Sequence, residues 1–94
     1  MRISIVIPLY NEQDSLIQLH QRLKEVLLKE GLDYEIIFVD DGSTDDSFNV
    51  LRDLNRLDSK VKAVSLRKNF GKSAALAVGF EKVSGEIVIT MDAD

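Results

Sequence analysis

The feature that most constrains the fold is a fourfold recurrence of short β-branched runs, at residues 3–7 (ISIVI), 35–39 (EIIFV), 61–66 (VKAVSL) and 86–91 (EIVITM). Three are nearly continuous in Ile and Val rather than alternating with polar residues. That pattern belongs to strands covered on both faces, as in parallel sheets. Segments of helical period separate them. Over residues 15–30, Leu16, Leu19, Leu23, Val26 and Leu27 recur at spacings of three and four, and Gly31 is a stop signal. Over residues 44–57, Phe48, Leu51 and Leu54 share a face; Ser43 or Thr44 is positioned to cap this helix, and Asp45 and Asp46 suit the positive end of its dipole. Residues 73–83 are rich in Ala and small side chains, so a helix there can pack close to a sheet, although Gly79 costs up to about 1 kcal/mol relative to Ala. Strand and helix therefore alternate as βαβαβαβ, a three-layer, doubly wound, Rossmann-like α/β unit with crossover connections.

In such sheets ligands sit beyond the carboxyl ends of the strands. The polar clusters PLYNEQD, DDGSTDD, RKNFGKS and DAD all fall there, so they predict one continuous rim. Asp40 and Asp41 end the second strand, where carboxylates can accept hydrogen bonds from ribose hydroxyls or a base edge. Gly42 permits a tight turn or close backbone approach, and Ser43 opens a helix whose free amides favour an anion. The same residues also read as turn formers and caps. Pro8, Tyr10, Asn11 and Glu12 leave the first strand together: Pro8 ends it without needing a backbone donor, Tyr10 can stack on a base, and Asn11 reads equally as a helix cap. Asp92 and Asp94, one residue apart on an extended segment, point the same way and can share Mg²⁺ or Mn²⁺, which prefer oxygen ligands. Such a cation would bridge to a diphosphate.

Arg67, Lys68 and Lys72 lie beside a helix start and can meet phosphate, Lys72 most directly because it follows the Gly71 turn. The tripeptide GKS is not a P-loop, since that motif needs glycine five residues before Gly71 and position 66 is Leu. His20 reads as a solvated histidine on a polar helix face.

Composition narrows the classes. At 94 residues there is room for one domain, and a net charge of −4 without a long basic run argues against general nucleic-acid binding. With no cysteine, disulfides and thiolate metal sites are excluded. No apolar run approaches the roughly 20 residues of a membrane span, so the chain as given is expected to be cytoplasmic.

The motifs SIVIPLYNE, VDDGSTDDS, RKNFGKSAALAVGF and GEIVITMDAD, in that order, resemble those of inverting family 2 glycosyltransferases of the GT-A fold, and most closely the polyprenyl-phosphate sugar transferases. The resemblance implies the nucleotide-binding half of that fold, with sheet order 3-2-1-4. It implies a UDP- or GDP-linked sugar across the rim, with Pro8, Tyr10, Glu12 and Asp40 at the nucleoside, Asp41 nearby, Lys72 beside the nucleotide, and Asp92 and Asp94 as the D-x-D metal motif. It also implies a lipid-phosphate acceptor and a parent enzyme associated with a membrane, its active site on the cytoplasmic side. Members of that family continue past the D-x-D motif. The resemblance therefore makes these residues a donor-binding half, inactive in transfer alone, with no catalytic residue assigned and with the strand at 86–91 left as an edge through which the chain would self-associate. Two other readings are a receiver-like signalling domain, which needs an acid at the end of its third strand where RKN follows, and a nucleotide-binding unit without enzymatic activity.

Overall fold

The computed structural model describes residues 1–93; Asp94, half of the expected metal pair, lies outside the described residues. The elements are β1 (Arg2–Leu9), α1 (Leu16–Lys29), β2 (Asp33–Asp40), α2 (Ser47–Leu57), β3 (Val61–Ser65), α3 (Lys72–Glu81) and β4 (Ile87–Thr90). All strand pairings are parallel, in the order β3-β2-β1-β4. This is the architecture expected from the sequence.

Alternation along the strands sorts side chains between two helical layers. On one face Ile5, Ile7, Ile36 and Phe38 pack with Leu16 and Leu27 of α1 and Leu51 and Leu54 of α2. On the other, Val6, Ile37 and Val39 pack against Ala75 of α3. The helical glycine explains how α3 sits so close: a Cβ on Gly79 would come within 2.4 Å of a Val6 methyl carbon. The conformational cost of that glycine is thus offset by the contact it allows.

Three expectations are corrected. β1 does not end at Pro8 but runs on to Leu9, because Pro8 lies past the last pairing with β4, Val6 with Thr90, and its missing N–H interrupts no ladder. α2 begins at Ser47 rather than Thr44, and neither Ser43 nor Thr44 caps it. Both are engaged instead by the loop after β1, as described below. His20 is not solvated: it is 7% exposed, and its Nε2 lies 2.9 Å from Asp58 Oδ2. The helix spacing carried that signal, since His20 stands four residues after Leu16 and seven before Leu27, on the buried face of α1. Val26, by contrast, turns outward at 58% exposure.

β4 is the outer strand beside β1, and all four of its residues are exposed, Ile87, Val88 and Ile89 each by about 42%. Among the described residues no helix is long and apolar enough to cross a membrane.

Candidate functional site

The rim is built by hydrogen bonds between loops far apart in sequence. After β1 the chain turns through Asn11 in the left-handed region (φ 53°), which asparagine tolerates better than most residues. The Asn11 N–H donates to Ser43 Oγ at 2.8 Å, and its side-chain Oδ1 accepts from the N–H groups of Thr44 and Asp45 at 2.8 and 3.2 Å. Glu12 N–H donates to Ser47 Oγ at 3.0 Å. Asn11 and Ser43 are therefore clips that join the β1 and β2 loops. At Asp45, within this lacing, desolvation raises the carboxyl's pKa, but hydrogen bonds from Ser47 and Gln13 together outweigh it and hold the group below the usual range.

The adjacent acids at the end of β2 part company. Asp40 is 2% exposed, and its Oδ1 accepts the Ser43 N–H at 2.9 Å, closing the turn around Gly42. Asp41 faces the other way: Oδ1 accepts the Phe70 N–H at 2.8 Å and Oδ2 the Gly71 N–H at 3.0 Å. Its carboxylate thus ties the loop after β3 to the tip of β2. Gly42 completes the junction, because at φ 74° it takes a conformation unfavourable for other residues and a Cβ there would meet the Lys68 carbonyl carbon at 2.2 Å.

These connections frame an open cleft of about 490 Å³ at the carboxyl ends of β1, β2 and β4. Pro8, Tyr10, Glu12, Asp41, Lys72 and Asp92 all line it. Tyr10 is 44% exposed, which leaves its ring free to stack. Lys72, the first residue of α3, places Nζ 2.6 Å from Asp92 Oδ1. Asn69, which the sequence reading did not single out, also lines the cleft; a polar residue in an irregular loop carries no local mark of that role. Arg67 and Lys68 do not line it, and Lys68 instead lies over the Phe70 ring, 5.2 Å from its centre. Nor does Asp40 front the cleft, although Asp41 does.

Among the described residues no three acidic or histidine side chains gather to hold a metal by themselves. A divalent cation of the Mg²⁺ type needs no such cage, since it is commonly held by one or two carboxylates together with substrate phosphates. Asp92 offers a carboxylate of that kind, and the Lys72 ammonium already stands at it as a cation. The donor chemistry at this corner fits.

A family model for glycosyl transferase family 2 matches residues 4–94. The chain belongs to glycosyl transferase family 2. It is 50% identical over 93 residues to an undecaprenyl-phosphate 4-deoxy-4-formamido-L-arabinose transferase of Pseudomonas fluorescens (strain SBW25), covering 98% of this chain and 27% of that protein. The enzyme of the same name from Edwardsiella ictaluri (strain 93-146) is 47% identical over 93 residues, covering 98% of this chain and 29% of the relative. The chain thus spans between a quarter and a third of the length of these relatives. Among solved structures, the mannosyltransferase PcManGT of Pyrobaculum calidifontis, in complex with GDP-Man and Mn²⁺, superposes with a TM-score of 0.85 at 25% identity, over 98% of this chain and 27% of that one. S. aureus TarS 1-349 in complex with UDP-GlcNAc gives 0.82 at 27% identity, over 100% of this chain and 27% of that one. The fold is accordingly the nucleotide-binding half of the GT-A architecture. A receiver domain is set aside by the same match and by the end of β3, where Ser65 is followed by Leu66 and Arg67.

Proposed function

We propose that this chain is the donor-binding half of an inverting glycosyltransferase that moves a sugar from UDP or GDP to a polyprenyl phosphate. One observation carries the reading: within a chain of this family, Glu12, Asp41, Lys72 and Asp92 converge on one cleft at the strand ends. Pro8, Tyr10 and Glu12 hold the nucleoside on the β1 side. Asp40 acts from beneath the turn and Asp41 from the wall. Asn11, Gly42 and Ser43 keep the two loops at the spacing the nucleotide needs. Lys72 meets the diphosphate, since a lysine ammonium is a compact point charge suited to phosphate. Asp92, with Asp94, holds a divalent cation, Mg²⁺ or Mn²⁺. The Mn²⁺ in the PcManGT complex supports that assignment.

The chemistry is a displacement at the anomeric carbon. A phosphate oxygen of the acceptor forms the new bond from the face opposite the nucleotide, and the sugar–diphosphate bond breaks with its electron pair passing to the diphosphate. A bound cation supplies neutralisation of the charge that develops on that leaving group. This chain's residues contribute position and electrostatics: Lys72 faces the departing phosphate, and the backbone ties at Asp41 fix the loop that carries it, so little reorganisation is needed as charge develops. The acceptor class rests on the relatives named for undecaprenyl phosphate; an acceptor of that kind is a lipid, so the proposed parent enzyme works at a membrane, and we assign its active site to the cytoplasmic side.

Calorimetric titration with UDP and with GDP, each with and without Mn²⁺, tests the reading. Binding that prefers one nucleotide, depends on Mn²⁺ and disappears in the variant carrying Asp92→Asn and Asp94→Asn is the expected result. A folded chain that binds neither nucleotide under any condition would overturn it.

A further inference from the structure

The Lys72–Asp92 pair links the first residue of α3 to the segment after β4, and both residues line the cleft. Its geometry is close, with Nζ 2.6 Å from Oδ1, yet both side chains are open to solvent, at 63% and 60% exposure. An ion pair that exposed is worth little, roughly 0.2–1 kcal/mol, so a competing ion displaces it readily. Lys72 and a divalent cation want the same carboxylate, while Lys72 and Asp92 have opposite preferences for an incoming diphosphate.

We propose that Lys72 is a built-in counter-ion for Asp92 that a nucleotide diphosphate draws away, so that a divalent cation gains Asp92 together with the nucleotide rather than before it. The inference rests on the donor-site reading above. Before ligand arrives, the ammonium screens Asp92 and disfavours a second cation there. When the diphosphate enters, it offers Lys72 a partner of higher charge, and the freed carboxylate joins the phosphate oxygens as a cation ligand. Metal and nucleotide then bind with positive coupling, and by linkage each raises the other's affinity by the same factor. Without Lys72 to release, part of that coupling vanishes.

The test is Mn²⁺ binding, followed through the electron paramagnetic resonance signal of the free ion, with and without saturating UDP or GDP. Wild type is compared with Lys72→Met, Lys72→Arg and Lys68→Met, the last removing a nearby positive charge that does not touch Asp92. Thermal melts confirm that each variant is folded, which the exposure of Lys72 favours. Without nucleotide, Lys72→Met should bind Mn²⁺ roughly 1.4- to fivefold more tightly than wild type, the range set by the strength of an exposed pair. Lys72→Arg should resemble wild type, and Lys68→Met should shift less than Lys72→Met. The enhancement of Mn²⁺ binding by nucleotide should shrink in Lys72→Met by that same factor. If nucleotide binds with Mn²⁺ but Lys72→Met leaves metal affinity unchanged, or changes it no more than Lys68→Met does, this inference fails and the donor site stands. If no nucleotide binds to any of the folded proteins, the donor-site reading fails and takes the inference with it.

Discussion

Two lysine–carboxylate pairs in this chain share a 2.6 Å separation and differ in almost everything else. At the amino end of the sheet, the Lys62 ammonium lies 2.6 Å from Glu35 Oε1 as an ion pair. The other oxygen, Oε2, accepts from Ser4 Oγ at 2.6 Å and from the N–H and Oγ of Ser84 at 2.6 and 2.9 Å. Ser4 Oγ in turn accepts the Gly85 N–H at 2.8 Å. Glu35, with a side chain only 3% exposed, thereby pins the connection into β4 against β1 and β2. At the carboxyl end, Lys72 and Asp92 meet in open solvent without such a network. Distance alone therefore says little about what an ion pair does. Burial and the partners of the second oxygen decide whether it fixes the fold or stays displaceable.

The comparison is broken most severely by removing the buried member. Glu35→Ala leaves Ser4 Oγ, the Ser84 N–H and the Lys62 ammonium without their acceptor, and should cost roughly 3 kcal/mol in urea unfolding, at the low end for a buried pair because Lys62 is half exposed. A loss below about 1 kcal/mol would mean that water replaces the carboxylate and the network is not structural.

Acid supplies the next effect. Burial penalises the Glu35 anion, but Lys62, Ser4 and Ser84 outweigh that penalty and lower its pKa from the ordinary 4.5 to about 2. Because the folded value is the lower one, the stabilisation is fully present above the ordinary value and is lost as pH falls through the folded one. The stability lost between about pH 5 and pH 2 should reach ~2 kcal/mol from this group, discounted for the exposure of Lys62. Asp58, where a burial penalty is outweighed by His20 and the Lys60 N–H, changes in the same direction. Melts recorded in Lys62→Met should show a smaller acid loss than wild type. An equal loss would assign the effect to Asp58 and other groups.

The sequence showed much of this molecule and missed what is non-local. The β-branched runs and helical spacings carry the seven elements and their order, because strand and helix periods are properties of neighbouring residues. The start of α2 was hidden because Ser43 and Thr44 answer to Asn11, some 32 residues away, rather than to their own helix. Glu35 sits in an apolar run and shows nothing locally of Ser4, Lys62 and Ser84, which come from three other parts of the chain. At the rim, the acidic clusters marked the right strand ends. The division between Asp40 and Asp41 was readable in principle, since adjacent residues on a strand face opposite sides. That Asp41 holds backbone N–H groups of the loop after β3 was not, because nothing in the sequence states which loop packs there.

Smaller effects sharpen the contrast. Ser84→Ala removes one donor to Glu35 but keeps the backbone N–H, so about 1 kcal/mol should be lost, with β4 still paired to β1. Amide exchange along β4 reads this directly: faster exchange confined to the entry of the strand is expected, and unaltered exchange would detach Ser84 from the pinning role.

The smallest expected change in stability is at the opposite end. Asp92→Asn should alter unfolding free energy by less than about 0.5 kcal/mol, because an exposed pair contributes little, yet it should abolish the Mn²⁺ dependence of nucleotide binding. Raising the salt concentration should leave the Glu35 contribution nearly intact and erase whatever Lys72 and Asp92 supply, since screening acts on exposed charges first. Denaturation of wild type and Asp92→Asn at low and high salt, with Glu35→Ala alongside, puts both pairs in one measurement. If Asp92→Asn proves as destabilising as Glu35→Ala, the carboxyl-end pair is structural too, and a cation could gain Asp92 only by loosening the fold. If it costs nearly nothing at either salt, the same 2.6 Å contact is stabilising at one end of the sheet and free to be exchanged at the other.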